Sequence, residues 1–289
     1  MEAFAQANQE AILAWNTVLF DKFVRFRTVV TAGLAIHGDA ALSKHPPKQG
    51  ARALDIGCGF GDTTLTLARL VGPSGIAMGV DPADRFIEEA RLEASRAGLS
   101  KVRFEIGDVQ TAQFDEQFDY AFSRFGVMFF ASPVAAFRNL RRAMRPGAEL
   151  CMVVWRRKED NQWLHRAELL VEQMVKHPED SDEPTCGPGP FSMASADLVT
   201  SQLLSAGYQE ISLERLDAEI CIGRDIEEAV AFAMALGPAG EILRLAGAEA
   251  ERRRPEVEAA LGGMLAEYRR SDGVFAPSST WIVTARAAG

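Results

Sequence analysis

The chain has 289 residues, 47% of them hydrophobic and 25% charged, the balance of a globular protein with a sizeable core. Its formal net charge is −9, and its densest basic runs, Arg138 to Arg145, Arg156-Arg157-Lys158 and Arg252-Arg253-Arg254, lie beside acidic residues or on expected helix surfaces. That distribution argues against a nucleic-acid backbone as the main partner. No apolar run approaches the roughly 20 residues of a membrane span. The start, Met1-Glu2-Ala3-Phe4, lacks a basic and apolar signal pattern, so the expected location is the cytoplasm. Cys58, Cys151, Cys186 and Cys221 are far apart and form no C-x-x-C pair, so no metal site is expected.

Residues 8–30 carry Ile12, Trp15, Leu19, Phe23, Phe26 and Val30 at helical spacing. A polar linker follows, with His45-Pro46-Pro47-Lys48-Gln49-Gly50, so residues 1–50 are expected to form a helical cap. From Ala51 the pattern becomes strand, turn, helix, repeated. Strands are expected at 51–56, 75–80, 102–106, 118–123 and 149–155. Helices are expected at 63–71, from Pro82 at its first-turn position to Gly98, and around Val134, Phe137, Leu140 and Met144, with Arg145-Pro146-Gly147 as a turn. Residues 156–195 read as an insertion: a helix, then a loop broken by Pro178, Pro184, Pro188 and Pro190. A helix at 196–206 and strands at 211–222 and 281–285 complete seven strands. Two amphipathic stripes, at 226–234 and 257–268, predict a helical lid over about 225–272 or a homodimer contact.

Alternating strands and helices, with apolar strands, predict an α/β fold: a mostly parallel sheet with helices on both faces. Such sheets bind ligands beyond the carboxyl ends of their strands. The cofactor-binding core is expected at 51–155, and the other half of the sheet, with the lid, at 196–289, all as one domain.

The first strand runs into Gly57-Cys58-Gly59-Phe60-Gly61-Asp62. Glycines there let backbone approach a ligand. A dinucleotide fold would place its third glycine at position 62, where this chain has Asp62. A carboxylate at that helix start would repel a pyrophosphate and serve as a helix cap when no phosphate is bound. This favours S-adenosylmethionine, which has no phosphate, over NAD or FAD. Asp81, ending the second strand, is placed to accept from two ribose hydroxyls, and Asp108, after the third, from an adenine amino group with Val109 on the ring. Each is explicable singly as a cap or turn residue. Three in order at consecutive strand ends are hard to explain so.

At these residues the sequence resembles the class I methyltransferases with a Rossmann-like fold, in particular the bacterial ubiquinone and menaquinone C-methyltransferase-like group. The resemblance rests on Ala53 to Gly61, Gly79-Val80-Asp81-Pro82, Gly107-Asp108-Val109, Asp119 to Phe130, Leu140 to Gly147 and Val154-Trp155, with looser flanks at Ala14-Trp15-Asn16, Gly187 to Phe191 and Trp281 to Arg286. It implies that Asp55, Gly57, Cys58, Gly59 and Gly61 face the methionine part of S-adenosylmethionine, that Asp81 holds the ribose, and that Pro82 lies near adenine. It further implies that Asp108 and Val109 bind adenine, and that Ser123 reaches the methionine end, with Arg124 and Phe125 near the acceptor. Gly147-Ala148 departs mildly from the family's Gly-Gly.

The expected reaction is in-line transfer of a methyl group to a C, N or O nucleophile on a small molecule. A base is optional for amines and thiolates. Among the histidines, His165 is the candidate base, because Asn161-Gln162-Trp163 before it leaves the sheet's ligand edge; His37, His45 and His177 rank behind. Trp15, Phe20, Phe125, Phe129, Phe130 and Trp163 are candidate walls of a planar-acceptor pocket, with core packing as the alternative. The alternative functions are cofactor binding without transfer, or cyclisation or aminopropyl transfer on the same fold.

Overall fold

The computed structural model describes residues 2–115, 117–176 and 188–289; His177, Pro178, Pro184, Cys186 and Gly187 lie outside the described residues. Five strands, β1 (Arg52–Ile56), β2 (Ile76–Asp81), β3 (Val102–Ile106), β4 (Phe118–Arg124) and β5 (Met144–Trp155), pair in parallel in the order β3-β2-β1-β4-β5. Beyond β5 the sheet continues through β8 (Gly273–Ala287) and β6 (Tyr208–Gly223), with the two-residue β7 (Arg269–Arg270) pairing β8. Strand β8 runs antiparallel to both β5 and β6. The sheet is therefore mostly parallel, as expected, with antiparallel β8 at its far side, and the short β7 makes its strands eight where seven were expected. The closing strand is fifteen residues long, where 281–285 was expected.

Side chains alternate across a strand. Leu54 and Ile56 of β1, Met78 and Val80 of β2, and Leu150, Met152 and Val154 of β5 enter the main core. Ala53, Ala77, Cys151 and Val153 enter the opposite one, against Leu67, Ala68 and Val71 of α4 (Asp62–Val71). Burial on both faces is why these strands read as continuous apolar runs. On the main-core side lie α6 (Pro133–Ala143), through Phe137 and Leu140, and α8 (Ala196–Ala206), through Val199 and Leu203. Helix α5 (Asp84–Ala97) packs on β2 and β3.

The cap is α1 (Glu2–Asn16), α2 (Val18–Arg25), a π-helical turn (Val29–Gly33) and α3 (Ala35–Lys44). It is thus helical almost to His45, although no period in 31–44 signals it. Helix α5 begins at Asp84 and not at Pro82, because the Asp81 carboxylate takes the Ala83 N–H at 2.9 Å and turns the chain first. Arg145-Pro146-Gly147, expected as a turn, lies within β5 at an irregularity, with Gly147 at φ 77°. The 156–195 insertion contains α7 (Gln162–Met174).

The segment expected as a lid holds three helices: α9 (Ile226–Ala235), α10 (Pro238–Ala246) and α11 (Ala248–Leu265). Of the predicted stripe Val257, Leu261, Met264, Leu265 and Tyr268, Val257, Leu261 and Leu265 are fully buried and Met264 and Tyr268 partly so, and α11 packs on α7 and α9. Among the described residues, no single helix is long and apolar enough to cross a membrane.

Candidate functional site

The strand order reverses between β1 and β4, and the site lies where their carboxyl ends part. A cavity of about 940 Å³ opens there. Asp108, Asp81, Gly59 and Arg124 line it from the ends of β3, β2, β1 and β4 respectively.

The loop after β1 is fixed by backbone bonds. Gly57 and Cys58 N–H groups donate to Val80 O at 2.9 and 3.1 Å. Gly57, Gly59 and Gly61 all have positive φ, 66°, 50° and 80°. The three glycines have different duties. Gly57 lets the chain after β4 pass close: a Cβ on it would stand 2.9 Å from Gly126 Cα. Gly61 does not line the cavity; a Cβ there would meet Ala90 and Phe104 at 2.9 Å, so it is a packing glycine under α5 and β3. Gly59 lines the cavity, and its N–H donates to Asp81 Oδ2 at 3.0 Å.

Asp81 thus accepts one backbone N–H on each oxygen. Each oxygen keeps lone-pair capacity for one more donor. Burial raises its pKa to about 6, against the pull of the Ala83 and Gly59 N–H groups. Asp108 accepts from Gln110 N at 3.0 Å, shaping the loop that presents Val109 and Gln110 to the cavity. Pro82 lies on the same wall.

Besides Gly61, three expected site residues are not on the wall. Asp55 is buried beneath the loop, where its Oδ2 accepts from both Thr63 and Thr64 hydroxyls at 2.6 Å. Burial raises its pKa to about 6, and Oδ1 has no partner among the described residues. Ser123 is fully buried, donates to Ile56 O at 2.8 Å, tying β4 to β1, and does not line the cavity. His165 is also off the wall. Trp163 and Leu164 line the cavity, but one residue further along α7 turns the side chain about 100° away. Its Nδ1 faces Glu168 at 3.6 Å instead. It is not placed to act as a base on a ligand in the cavity. Cys58 lines the loop, but its thiol sits among Leu65, Ile87 and Phe104, and burial pushes its pKa well up.

Asp62 departs from its expected role as well. The N-cap of α4 is Gly61, and Asp62 is the first helical residue. Its carboxylate takes Arg124 Nη2 at 2.7 Å on the cavity wall.

The expected aromatic residues Trp15, Phe125, Phe129, Phe130 and Trp163 do line the cavity, while Phe20 does not. Trp15 meets Phe129 edge-on at 4.9 Å. Phe125, at φ 62°, stacks on Trp155 at 4.4 Å. Trp163 stacks on Phe232 of α9, a wall residue no local pattern marked. Phe191, Leu236 and Pro238 extend the apolar wall. Behind it, His37 is fully buried. Ser278 Oγ donates to Ala218 O, so it accepts from His37 Nε2 at 2.7 Å, and Nδ1 is left to accept from Thr280 at 3.0 Å. Thr280 Oγ1 also lies 3.4 Å from Leu216 O, so its one proton is offered to both acceptors. Burial, then Arg124, lowers the His37 pKa to about 4.

The methyltransferase domain family matches residues 47–194, just over half of the chain. The chain belongs to that family. Its cofactor is S-adenosylmethionine, and the site fits it: carboxylates, a glycine loop and a cation follow one another along one cavity edge. An uncharacterized 37.1 kDa protein in transposon TN4556 of Streptomyces fradiae is 36% identical over 106 residues, 36% of this chain and 30% of that protein. Demethylmenaquinone methyltransferase of Staphylococcus carnosus is 33% identical over 101 residues, 35% of this chain and 41% of that enzyme. The chain therefore spans less than half the length of these curated relatives. The YcgJ protein of Bacillus subtilis superposes with a TM-score of 0.58 at 14% identity, covering 89% of this chain and 99% of that one, and shares the fold.

Proposed function

We propose that this methyltransferase domain, acting in the cytoplasm as one catalytic unit of core, cap and lid, methylates a small, largely apolar molecule. One observation carries the acceptor class: the cavity continues from the glycine loop into a chamber walled by Trp15, Phe129, Phe191, Trp163, Phe232 and Leu236. Such a chamber suits a compact aromatic or aliphatic body held by shape and burial. An acidic protein with an apolar cavity is poorly suited to nucleic acid.

S-adenosylmethionine, when bound, supplies a methyl group activated by its sulfonium. Asp108 and Val109 would hold the adenine, with Pro82 beside it. Asp81 would accept from the ribose hydroxyls. The backbone at Gly57, Cys58 and Gly59 would pass along the methionine part, and Thr63 and Thr64 hold Asp55 below it. The aromatic walls orient the acceptor and exclude water, which is where most of the acceleration of such a transfer arises. No proton transfer is assigned to His165. A homodimer through the lid would need the outer faces of α10 and α11, because Val257, Leu261 and Leu265 are buried inside the chain.

The test is calorimetry with S-adenosylmethionine and S-adenosylhomocysteine, then incubation of methyl-labelled cofactor with a panel of quinols, phenols, amines and thiols. Binding weaker than millimolar for both cofactor forms removes the reading. Binding without label transfer to any apolar acceptor removes the acceptor class.

A further inference from the structure

A second cavity, of about 440 Å³, lies beside the main one, and Phe191 lines both. It opens between the chain leaving β5 (Arg156, Arg157 and Asp160), the start of α8 and Trp281 of β8. Arg156 is 9% exposed, and its guanidinium lies over the Trp281 ring, with Cζ 4.5 Å from the centroid. Trp281 Nε1 donates to Ala194 O at 2.9 Å, tethering the ring to the residue before the α8 N-cap, Ser195. The chain after β5 is clamped as well. Fully buried Asn161 donates to Arg157 O and Ser279 O and accepts from Ser279 N. The walls are therefore set by bonds between three segments of the chain.

The charges on those walls do not cancel. Asp160 Oδ2 meets Arg156 Nη2 at 3.2 Å and Arg157 Nε at 3.1 Å, one carboxylate between two guanidinium groups. Nearby Arg215 and Asp217 pair with each other and add no net charge. Arg156 Nη1 is buried with no partner among the described residues. An N–H of a guanidinium held out of water and unmatched is costly. The wall opposite is the first turn of α8, an eleven-residue helix whose positive end adds to the attraction for an anion. Neither Glu159 nor Asp197, the acidic neighbours on each side, lines the cavity.

We propose that this second cavity binds one oxyanion group, a carboxylate or a phosphate, between Arg156 and the start of α8, with Arg157 at its rim. Charge-assisted hydrogen bonds would hold either group in the same way. The group has two sources: the tail of an acceptor whose body occupies the main chamber across Phe191, or a free small anion. The site needs no cofactor, so its failure leaves the methyl-transfer reading intact, and the failure of that reading leaves the site intact.

The experiment titrates inorganic phosphate, acetate and 4-phenylbutyrate calorimetrically into the full chain, in chloride buffer at constant ionic strength so that general screening is fixed. The same titrations are made with Arg156→Gln, Arg156→Lys and Leu198→Glu. Leu198 lines the cavity and is 45% exposed, so Leu198→Glu adds a repelling carboxylate without touching the core, and it carries the test should the Arg156 variants fail to fold. The expected result is binding of phosphate or 4-phenylbutyrate at about millimolar or tighter in wild type, about tenfold or more weaker in Arg156→Gln and Leu198→Glu, and less weakened in Arg156→Lys, which keeps the charge but not the fork. If 4-phenylbutyrate binds about tenfold or more tighter than acetate, the group belongs to an acceptor tail; if phosphate binds tightest, it is a free anion. No binding of any of the three below about 10 mM, or binding that Arg156→Gln and Leu198→Glu leave unchanged, overturns the proposal and makes Arg156 a packing residue on Trp281.

Discussion

Asp62 and Arg124, sixty-two residues apart, form a 2.7 Å ion pair at the junction of the glycine loop and the end of β4. Arg124 is mostly buried and Asp62 about one-third exposed. The pair changes how the loop discriminates against phosphate. Asp62 does not present a bare charge at the helix start, because Arg124 compensates it. Discrimination rests more on the backbone, with Gly61 closing the loop where a dinucleotide fold would continue one residue further.

Removing one partner of a partly buried pair leaves the other poorly matched. Asp62→Asn should therefore destabilise the protein by about 1 kcal/mol in a urea melt at neutral pH. Adding Arg124→Met should restore part of that loss, since the second change removes the stranded charge. Strictly additive losses in the double variant would show that the pair contributes nothing as a pair.

Gly61 and Gly98 offer a matched comparison. Both have positive φ, 80° and 64°, but only Gly61 has neighbours where a Cβ would go. Gly98→Ala should cost about 1 kcal/mol, the strain of a left-handed alanine. Gly61→Ala should cost about 2 kcal/mol more, because Ala90 and Phe104 must move. Equal losses in denaturant titrations would mean that α5 yields freely there.

The parallel half of the fold was legible because β1, β2, β4 and β5 are buried on both faces and the helices after β1 and β2 stop at Gly72 and Gly98. Asp81, Asp108 and the loop were legible because they follow strand ends directly. What local pattern does not carry is direction. Ser123 sits where a strand residue should reach a ligand, but it points at the carbonyl of the neighbouring strand. His165 lies one step along a helix from two wall residues and faces elsewhere. No stripe was named over α10, which Pro238 starts at its first turn. Phe232 and Arg124 gain their roles only from partners distant in sequence.

His37 gives a pH dependence with a definite sign. Its folded pKa, about 4, is below the usual 6.5. Between these values the unfolded chain binds the extra proton, so this contribution to stability is complete above pH 6.5 and is lost as pH falls toward 4. The full loss is on the order of 3 kcal/mol. Asp55 and Asp81, both raised to about 6, act in the opposite sense, because the folded form takes those protons first. The His37 part is isolated by difference. Wild type should lose stability faster than His37→Gln as pH is lowered from 6.5 to 4, in urea melts at matched ionic strength. Parallel curves would mean that the imidazole is protonated in the folded state.

Asp81 makes the corresponding prediction for ligand binding. Its pKa of about 6 reflects a carboxylate stripped of water and given only two N–H donors. Two ribose hydroxyls would add donors to the ionised form and lower that pKa on binding. Binding then releases a proton below about pH 6, so affinity for S-adenosylhomocysteine should be flat above pH 7 and fall by several-fold between pH 6 and pH 5. Asp55 titrates in the same range. The variant Asp55→Asn separates the two, since its amide oxygen can still accept from Thr63 and Thr64. If Asp81 is the ribose acceptor, the fall persists in Asp55→Asn, while Asp81→Asn binds weakly at every pH and loses it. A pH dependence that vanishes in Asp55→Asn and survives in Asp81→Asn would transfer the ionised contact from the ribose to the buried carboxylate beneath the glycine loop.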